Sequence, residues 1–358
     1  MNIADKLVKR FNNEDVIKFA DKNGFEEINS WAHTGSPELD YNLGTYGFPT
    51  GIIEVGGPSK SGKTTVGLLG MKNFLDKNPD TGVAVILSSE NRDNLDYARK
   101  LGIDTDNVLL VKVRYVEKLF MQVKSIIEYS MGLFDKEVPQ FYFLWDSLGA
   151  TLSKAELDTM EDNLNSMEKK MEKGEDFDNM KHEKIGAFAK PAKMFAKFLV
   201  GEMYDKDIHF VMLNHVYDKI QGMGKKSTGG EWVELFSTVR LRTSVRGHEK
   251  LDDTKVAQYT RVEIEKNDFG SRRETVIEIL LGEGLVLSEA DINFGIDMGV
   301  IEKEGAKKKS ALNGKLTWNS KRTFYQLYWS NNKLIKILHN KIAKLRREQV
   351  LTERKEND

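Results

Sequence analysis

The sequence predicts an α/β fold with a mostly parallel central sheet, and three observations predict it. A glycine-rich segment, Gly57-Pro-Ser-Lys-Ser-Gly-Lys-Thr64, lies between a short apolar strand, Gly51-Ile-Ile-Glu-Val55, and a run from Thr65 that can start a helix. Apolar runs at 82–87, 108–113, 141–145 and 208–213 alternate with helical patterns, as strands buried on both faces require. Three of these strands run into polar residues: Ser88-Ser-Glu90, Asp146-Ser147 and Asn214-His215. Open α/β sheets place their ligands at that edge.

The glycine-rich segment reads G-x-x-x-x-G-K-T, a phosphate-binding loop. A triphosphate needs many donors close together, and the glycines let successive N–H groups curl inward. Gly57, Pro58, Ser59, Lys60, Ser61, Gly62, Lys63, Thr64 and Thr65 form the candidate phosphate cradle. Lys63 is placed to reach the β- and γ-phosphates and Thr64 to hold Mg²⁺, with the positive end of the following helix behind them. Asp146 at the end of an apolar strand predicts a carboxylate beside the same Mg²⁺. Glu90 stands where it can polarise an attacking water. Position alone also allows a solvated loop glutamate.

The remaining chain is read in order. Residues 1 to about 22 carry Ile3, Leu7, Val8 and Phe11 at helical spacing. This arm packs on its own domain or docks on a neighbouring subunit, and periodicity does not separate the two. Glycines and prolines between His33 and Gly51 predict turns. Short helical patterns cover 96–101 and 116–131. Residues 153–184 are almost all charged or polar, with Leu164, Met167 and Met171 as a thin stripe, and predict a solvated excursion. Helical patterning returns over 185–199, with Pro191 near a helix start. The segment 216–228 is rich in glycine and lysine and carries Tyr217, Lys219, Met223, Lys225, Lys226 and Thr228, closed by Gly229-Gly230. A flexible basic loop with an aromatic and a methionine suits a nucleic-acid backbone and bases, and equally an ordinary exposed loop. Alternation over 238–242, 259–265 and 275–281 predicts antiparallel additions at the sheet edge. From about 289 the pattern is helical and polar, with Lys307-Lys-Lys309 and the turn Asn313-Gly314. It ends in a basic amphipathic helix over 331–350. The resulting division is an arm over 1–30, a core over 31–288 and a small C-terminal domain over 289–358.

Composition bounds the function classes. The chain has 358 residues, 40% hydrophobic and 30% charged, which is ordinary globular usage. It contains no cysteine, so disulfides and thiolate metal sites are excluded. No apolar run is long enough to span a membrane, and the first residues lack the apolar core of a signal peptide. Formal net charge is −1, so contact with nucleic acid must be local. The six histidines show no paired ligand spacing.

The order of these pieces over roughly residues 30 to 305 resembles the RecA family of recombinases, and most nearly its phage UvsX group. Thr34-Gly-Ser-Pro-Glu-Leu-Asp40 followed by Gly51-Ile-Ile-Glu-Val-Gly-Gly-Pro58 resembles the family's lead into the phosphate loop. Tyr97-Ala-Arg-Lys-Leu-Gly-Ile-Asp104 is similar to a bacterial RecA stretch. Asp146-Ser147, Asn214-His215 and Thr228-Gly-Gly230 fall in family order, while Gly-Pro-Ser-Lys-Ser and Asn-His-Val-Tyr look more like the phage group.

The resemblance implies a RecA-like ATPase core with an oligomerising arm, ATP and Mg²⁺ as cofactors, and the following roles. Glu90 matches the catalytic glutamate and Tyr97 the aromatic that stacks on adenine. Asn94 stands where an acid lies near the adenine. His215 takes the place of the γ-phosphate sensor, and 216–228 that of the second DNA-binding loop, ending at Gly229. The polar stretch after Leu152 matches the first DNA-binding loop but is longer. Lys266 matches the first of two lysines that reach a neighbour's γ-phosphate. The second position is Asp268, a departure for which Arg272 or Arg273 is a candidate substitute. The implied activity is DNA-dependent ATP hydrolysis by a filament on single-stranded DNA that pairs with homologous duplex. Mediator and single-strand-binding proteins are further partners that the resemblance allows, and the implied location is cytoplasmic, in a bacterial host if phage-encoded. The rival readings are a ring helicase or other DNA motor on the same core, and a regulatory ATPase with protein partners.

Overall fold

The computed structural model describes residues 31–44, 47–90, 95–134, 138–173, 186–218, 225–227, 229–251, 253–270, 273–310 and 316–357. The expected arm over 1–30 and the turn Asn313-Gly314 therefore lie outside the described residues. The chain opens with β1 (Trp31–Ala32), α1 (Pro37–Asn42) and β2 (Phe48–Pro49), where β1 and β2 pair antiparallel. The Ser36 hydroxyl accepts from the Leu39 N–H and Pro37 follows at the helix start, so the N-terminus of a short helix is marked in the sequence. Only turns were expected here. The α/β core continues with β3 (Gly51–Gly57), α2 (Lys63–Lys77), β4 (Gly82–Ser88), α3 (Leu95–Lys100), β5 (Val108–Lys112), α4 (Val116–Leu133) and β6 (Gln140–Asp146). Next come α5 (Lys154–Lys173), α6 (Ala189–Glu202), β7 (Ile208–Asp218), β8 (Lys225–Ser227) and α7 (Glu231–Phe236). The strands β9 (Ser237–Leu251), β10 (Thr254–Asn267), β11 (Glu274–Leu280) and β12 (Gly284–Val286) complete the main sheet. The C-terminal part holds α8 (Glu289–Asp297), β13 (Ile301–Glu304), β14 (Lys307–Ser310), β15 (Thr317–Trp318) and α9 (Lys321–Asn357).

The main sheet has the order β12-β11-β10-β9-β3-β7-β6-β4-β5, with β8 attached to β7. The strands from β9 to β5 run parallel, and β10 to β12 add antiparallel pairs. The continuous apolar runs follow from burial on both faces. On β6, Tyr142 and Leu144 pack toward α2 with Phe74, Leu68 and Val211. Phe141, Phe143 and Trp145 pack toward α4 and α6 with Leu119, Val123, Phe195 and Leu199. A third cluster, with Trp318, Phe324, Leu338 and Ile342, joins the C-terminal elements to Ala257 and Leu280 of the main sheet.

Three expectations are corrected. β9 is not an antiparallel edge addition: it lies inside the sheet, parallel to β3 on one side and antiparallel to β10 on the other. Its alternating arginines face a buried carboxylate rather than solvent. β7 does not end at Leu213 but continues to Asp218 and pairs with β8, so the glycine–lysine segment is flanked by a hairpin. The C-terminal part contains a three-stranded sheet, β13-β14-β15, that helical patterning missed, with Lys307, Lys308 and Lys309 on β14. The excursion after Ser153 is α5, a helix in which only Leu157 is buried among the described residues, and residues 174–185 lie outside them.

A carboxyl cluster joins α1 to the C-terminal part. The Ser288 hydroxyl donates to Asp291 Oδ2 at 2.8 Å and to Glu38 Oε2 at 3.3 Å. The Arg346 guanidinium lies 4.0 Å from the Phe294 ring centroid and 5.2 Å from that of Tyr41. Burial, and then the neighbouring Asp291, push the Glu38 carboxyl up from 4.5 to about 7. The folded protein thus holds this proton more tightly than the unfolded chain, so stability falls as pH rises between those values. Glu38→Gln removes that fall: melting temperatures at about pH 5 and about pH 8 should differ less in the variant than in the parent.

Candidate nucleotide-binding site

The parallel register brings the polar strand ends together. Gly57 at the end of β3 pairs with His215 on β7, and Ser88 at the end of β4 pairs with Asp146 at the end of β6. The phosphate-loop segment follows β3 directly and enters α2 through Gly62, whose φ of 92° is the left-handed region that glycine tolerates. A Cβ there would lie 2.5 Å from Ile279 Cδ1. A Cβ on Gly57 would collide with the Thr243 hydroxyl. The two motif glycines are therefore required by close packing as well as by curvature.

Lys63 is buried, and its ammonium donates to the Gly57 carbonyl at 2.9 Å and the Pro58 carbonyl at 2.7 Å. Burial pulls its pKa down, while Asp146 and then Glu90 act in the opposite direction. The Thr64 hydroxyl donates to Asp146 Oδ2 at 3.4 Å. Burial and the nearby Glu90 push the Asp146 carboxyl up to about 6, against Thr64 and Lys63. Glu90 accepts from the Ser147 hydroxyl at 2.9 Å and lies 3.8 Å from His215 Nε2. The Tyr97 hydroxyl and Thr65 Oγ1 are 2.8 Å apart. Lys60, Lys63, Thr64, Glu90, Tyr97 and Asp146 all line one cleft of about 850 Å³, within the usual range for ligand pockets.

These residues fit a magnesium nucleotide on two observations. A glycine cradle that a Cβ would fill surrounds a buried ammonium, and a hydroxyl–carboxylate pair, Thr64 and Asp146, supplies the hard oxygen donors that Mg²⁺ takes.

Other expected residues lie elsewhere. Lys266 does not line the cleft: its ammonium donates to the Glu234 carbonyl at 3.2 Å and is 3.8 Å from Asp268 Oδ1. The Arg273 guanidinium lies 5.9 Å from the Tyr41 ring centroid. Tyr217 falls on the β7 extension, Lys225 and Lys226 on β8, and Gly229 just beyond it. Asn94, Lys219, Met223, Thr228 and Arg272 lie outside the described residues.

Sequence reading missed the group beneath the loop. Glu54, fully buried on β3, accepts from Asn214 Nδ2 on β7 and from Arg240 Nε on β9, each at 2.7 Å. Arg242 Nη1 lies 3.0 Å from the same carboxylate, and Arg242 Nε lies 2.9 Å from Glu265 on β10. The available signal was an acid in the middle of an otherwise apolar strand, since a buried charge needs partners.

A phosphate loop at the carboxyl edge of a mostly parallel sheet, with acids on neighbouring strands, defines the class of phosphate-loop ATPases. Residues 2–174 match the model of the RecA N-terminal domain. Protein RecA of Mycobacterium ulcerans is 31% identical over 280 residues, 76% of this chain and 72% of the relative. Protein RecA of Chlorobaculum parvum is 27% identical over 312 residues, 86% of this chain and 81% of the relative. Chromosomal RecA of Lactococcus lactis is 28% identical over 284 residues, 76% of this chain and 65% of the relative. The chain belongs to the RecA family, which carries ATP binding, DNA binding and a role in recombination and repair. Among the described residues, no helix is long and apolar enough to cross a membrane.

Removing the Glu54 carboxylate takes from Arg240 and Arg242 their fully buried partner and leaves Glu234 and Glu265, both more exposed, beside them. Glu54→Ala is expected to lower stability by about 3–5 kcal/mol in urea unfolding, the usual result of breaking a buried ion pair on one side. A loss below about 1 kcal/mol would show that the cluster is not held by this group.

Proposed function

We propose that the chain is an ATP-driven recombinase of the phage UvsX type. It assembles as a helical filament on single-stranded DNA and pairs that strand with homologous duplex. The observation that carries this reading is the position of His215. It lies 3.8 Å from Glu90 at the nucleotide cleft and on the same strand that enters the β7–β8 hairpin. A change at the phosphates is thereby felt two residues from Tyr217. The phage assignment rests on the phosphate-loop wording Gly-Pro-Ser-Lys-Ser and on Asn214-His215-Val-Tyr217.

In this reading the loop N–H groups and the α2 N-terminus cradle the phosphates, and Lys63 transfers its two hydrogen bonds from the loop carbonyls to phosphate oxygens. Thr64 and Asp146 hold the magnesium ion, which neutralises phosphate charge when bound. Glu90, oriented by the Ser147 hydroxyl, aligns a water on the γ-phosphorus and accepts its proton as the bond to the bridging oxygen breaks, giving ADP and phosphate. His215 senses the γ-phosphate and passes its presence to the segment Tyr217 to Gly229, where Lys219, Met223, Lys225, Lys226 and Thr228 meet DNA. Lys266 serves a neighbouring subunit's nucleotide. Asp268 beside it competes for the ammonium, which weakens that contact in this chain. Arg272 or Arg273 takes the place of the second cation. The arm over 1–30 docks on the adjacent subunit.

Lys63→Ala should abolish ATP turnover, and persistent turnover would show that the cleft is misassigned. Glu90→Gln should keep ATP and DNA binding while kcat falls by about 10²–10⁴-fold, the usual contribution of a positioned base. The reading as a whole is tested by ATPase rates with and without single-stranded DNA and by electron microscopy of the same samples. DNA-stimulated turnover with open filaments supports it, and closed hexamers without filaments point to a ring motor.

A further inference from the structure

β9 and β10 outrun the sheet that they belong to. β9 pairs with β3 only as far as Arg242 opposite Gly56, and residues 243–251 continue past the phosphate loop. β10 pairs with β11 back to Ala257 opposite Leu280, and residues 254–256 continue beside them. The two extensions pair with each other as an antiparallel ribbon, with His248 opposite Gln258 and Lys250 opposite Lys255.

The root of this ribbon is fastened to the loop. Thr243 Oγ1 is 2.6 Å from Ser61 Oγ and donates to the Gly56 carbonyl at 3.2 Å. Gln258 Nε2 donates to Thr260 Oγ1 at 2.8 Å, and that hydroxyl lies 3.3 Å from the place a Gly62 Cβ would occupy. Beyond the root, Val245, His248, Lys255 and Gln258 line the same cleft as the loop. His248 and Lys255 are exposed, and among the described residues neither side chain has an ion pair or hydrogen bond.

The ribbon meets the cleft beside a neighbouring turn. The Leu281 N–H donates to the Val256 carbonyl at 2.9 Å, which puts Lys255 next to the turn at Leu281 and Gly282. Tyr97 lines the same cleft as Leu281 and Gly282 of that turn. Glu90 and Asp146 line the cleft beside Lys63 and Thr64. A bound nucleotide would carry phosphate charge past an ammonium and an imidazole that have no partner among the described residues.

We propose that the β9–β10 ribbon is a second wall of the nucleotide site within the same subunit, with Lys255 and His248 holding the ribose and α-phosphate side of a nucleoside triphosphate. The wall faces the loop across the cleft. It adds cationic contacts on the same chain, distinct from the Lys266 position that serves a neighbour. The proposal rests on the nucleotide reading of the cleft.

The test is equilibrium binding of a fluorescent ADP analogue, with ATP as competitor, to the full chain. Lys255→Ala, His248→Ala, Lys255→Arg and Lys63→Ala are compared at equal folded fraction by circular dichroism. Lys255→Ala and His248→Ala should each weaken binding by about tenfold, the scale of one hydrogen bond to a charged group, and raise KM more than they lower kcat. Lys255→Arg should restore most of the affinity, and added salt should weaken the Lys255→Ala variant less than the parent. Unchanged nucleotide affinity in Lys255→Ala and His248→Ala, alongside loss in Lys63→Ala, overturns the ribbon wall and leaves the cleft reading intact. Retention in Lys63→Ala as well overturns both. A Lys255→Ala variant that loses single-stranded DNA affinity without nucleotide, and keeps nucleotide affinity, also overturns the proposal by assigning the ribbon to DNA.

Discussion

The fully buried Glu54 carboxylate ties together the strands that matter for function. It sits on β3, which delivers the phosphate loop, and holds Asn214 on β7 and Arg240 and Arg242 on β9. An isolated charge in that position would be prohibitive, so the strands must stay in the register that pairs it. Gly56 opposite Asn214 and Arg242 follows from that register, and with it the meeting of Gly57 and His215 one residue further on. A Cβ on Gly56 would collide with the Arg242 guanidinium, so the strand has no side chain where the cluster passes over it.

The same register explains how residues far apart in the chain become one site. Strands β3, β7, β6 and β4 run parallel and adjacent, so their polar ends collect along one edge. Glu90 meets Ser147 and His215 there, and Thr64 meets Asp146. Burial, and then Glu90, raises the Asp146 carboxyl, and burial lowers the Lys63 ammonium against the opposing pull of Asp146 and Glu90, a charge balance that a polyphosphate and a divalent cation would reset. β7 then carries His215 onward into the hairpin with β8, so the nucleotide edge and the basic segment share one strand.

Features set by near neighbours were legible in the sequence, and features set by distant pairings were not. The loop 57–64 and the runs at 82–87 and 141–145 could be read because a phosphate cradle and a doubly covered strand each leave a local pattern. The α/β class and the family followed from their order. The alternation over 238–242 points to an antiparallel edge strand because the buried partner of its arginines, Glu54, is 186 residues away from Arg240. The strand β14 was hidden because Lys307, Lys308 and Lys309 read as helical surface when the pairing with β13 and β15 is unknown. At the site, Lys63, Thr64, Glu90, Tyr97 and Asp146 were all anticipated and share one cleft. The ribbon residues His248 and Lys255 carry no motif, and their place at the cleft comes only from the length of β9 and β10.

The central claim is that one strand couples nucleotide state to DNA binding, and coupling of this kind is reciprocal. Its most direct measurement is the affinity for a single-stranded oligonucleotide with a non-hydrolysable ATP analogue, with ADP and with no nucleotide, repeated in His215→Ala. The account predicts tighter DNA binding with the ATP analogue than with ADP or no nucleotide, and a difference that largely disappears in His215→Ala. A DNA affinity that is the same in all three nucleotide states would contradict it.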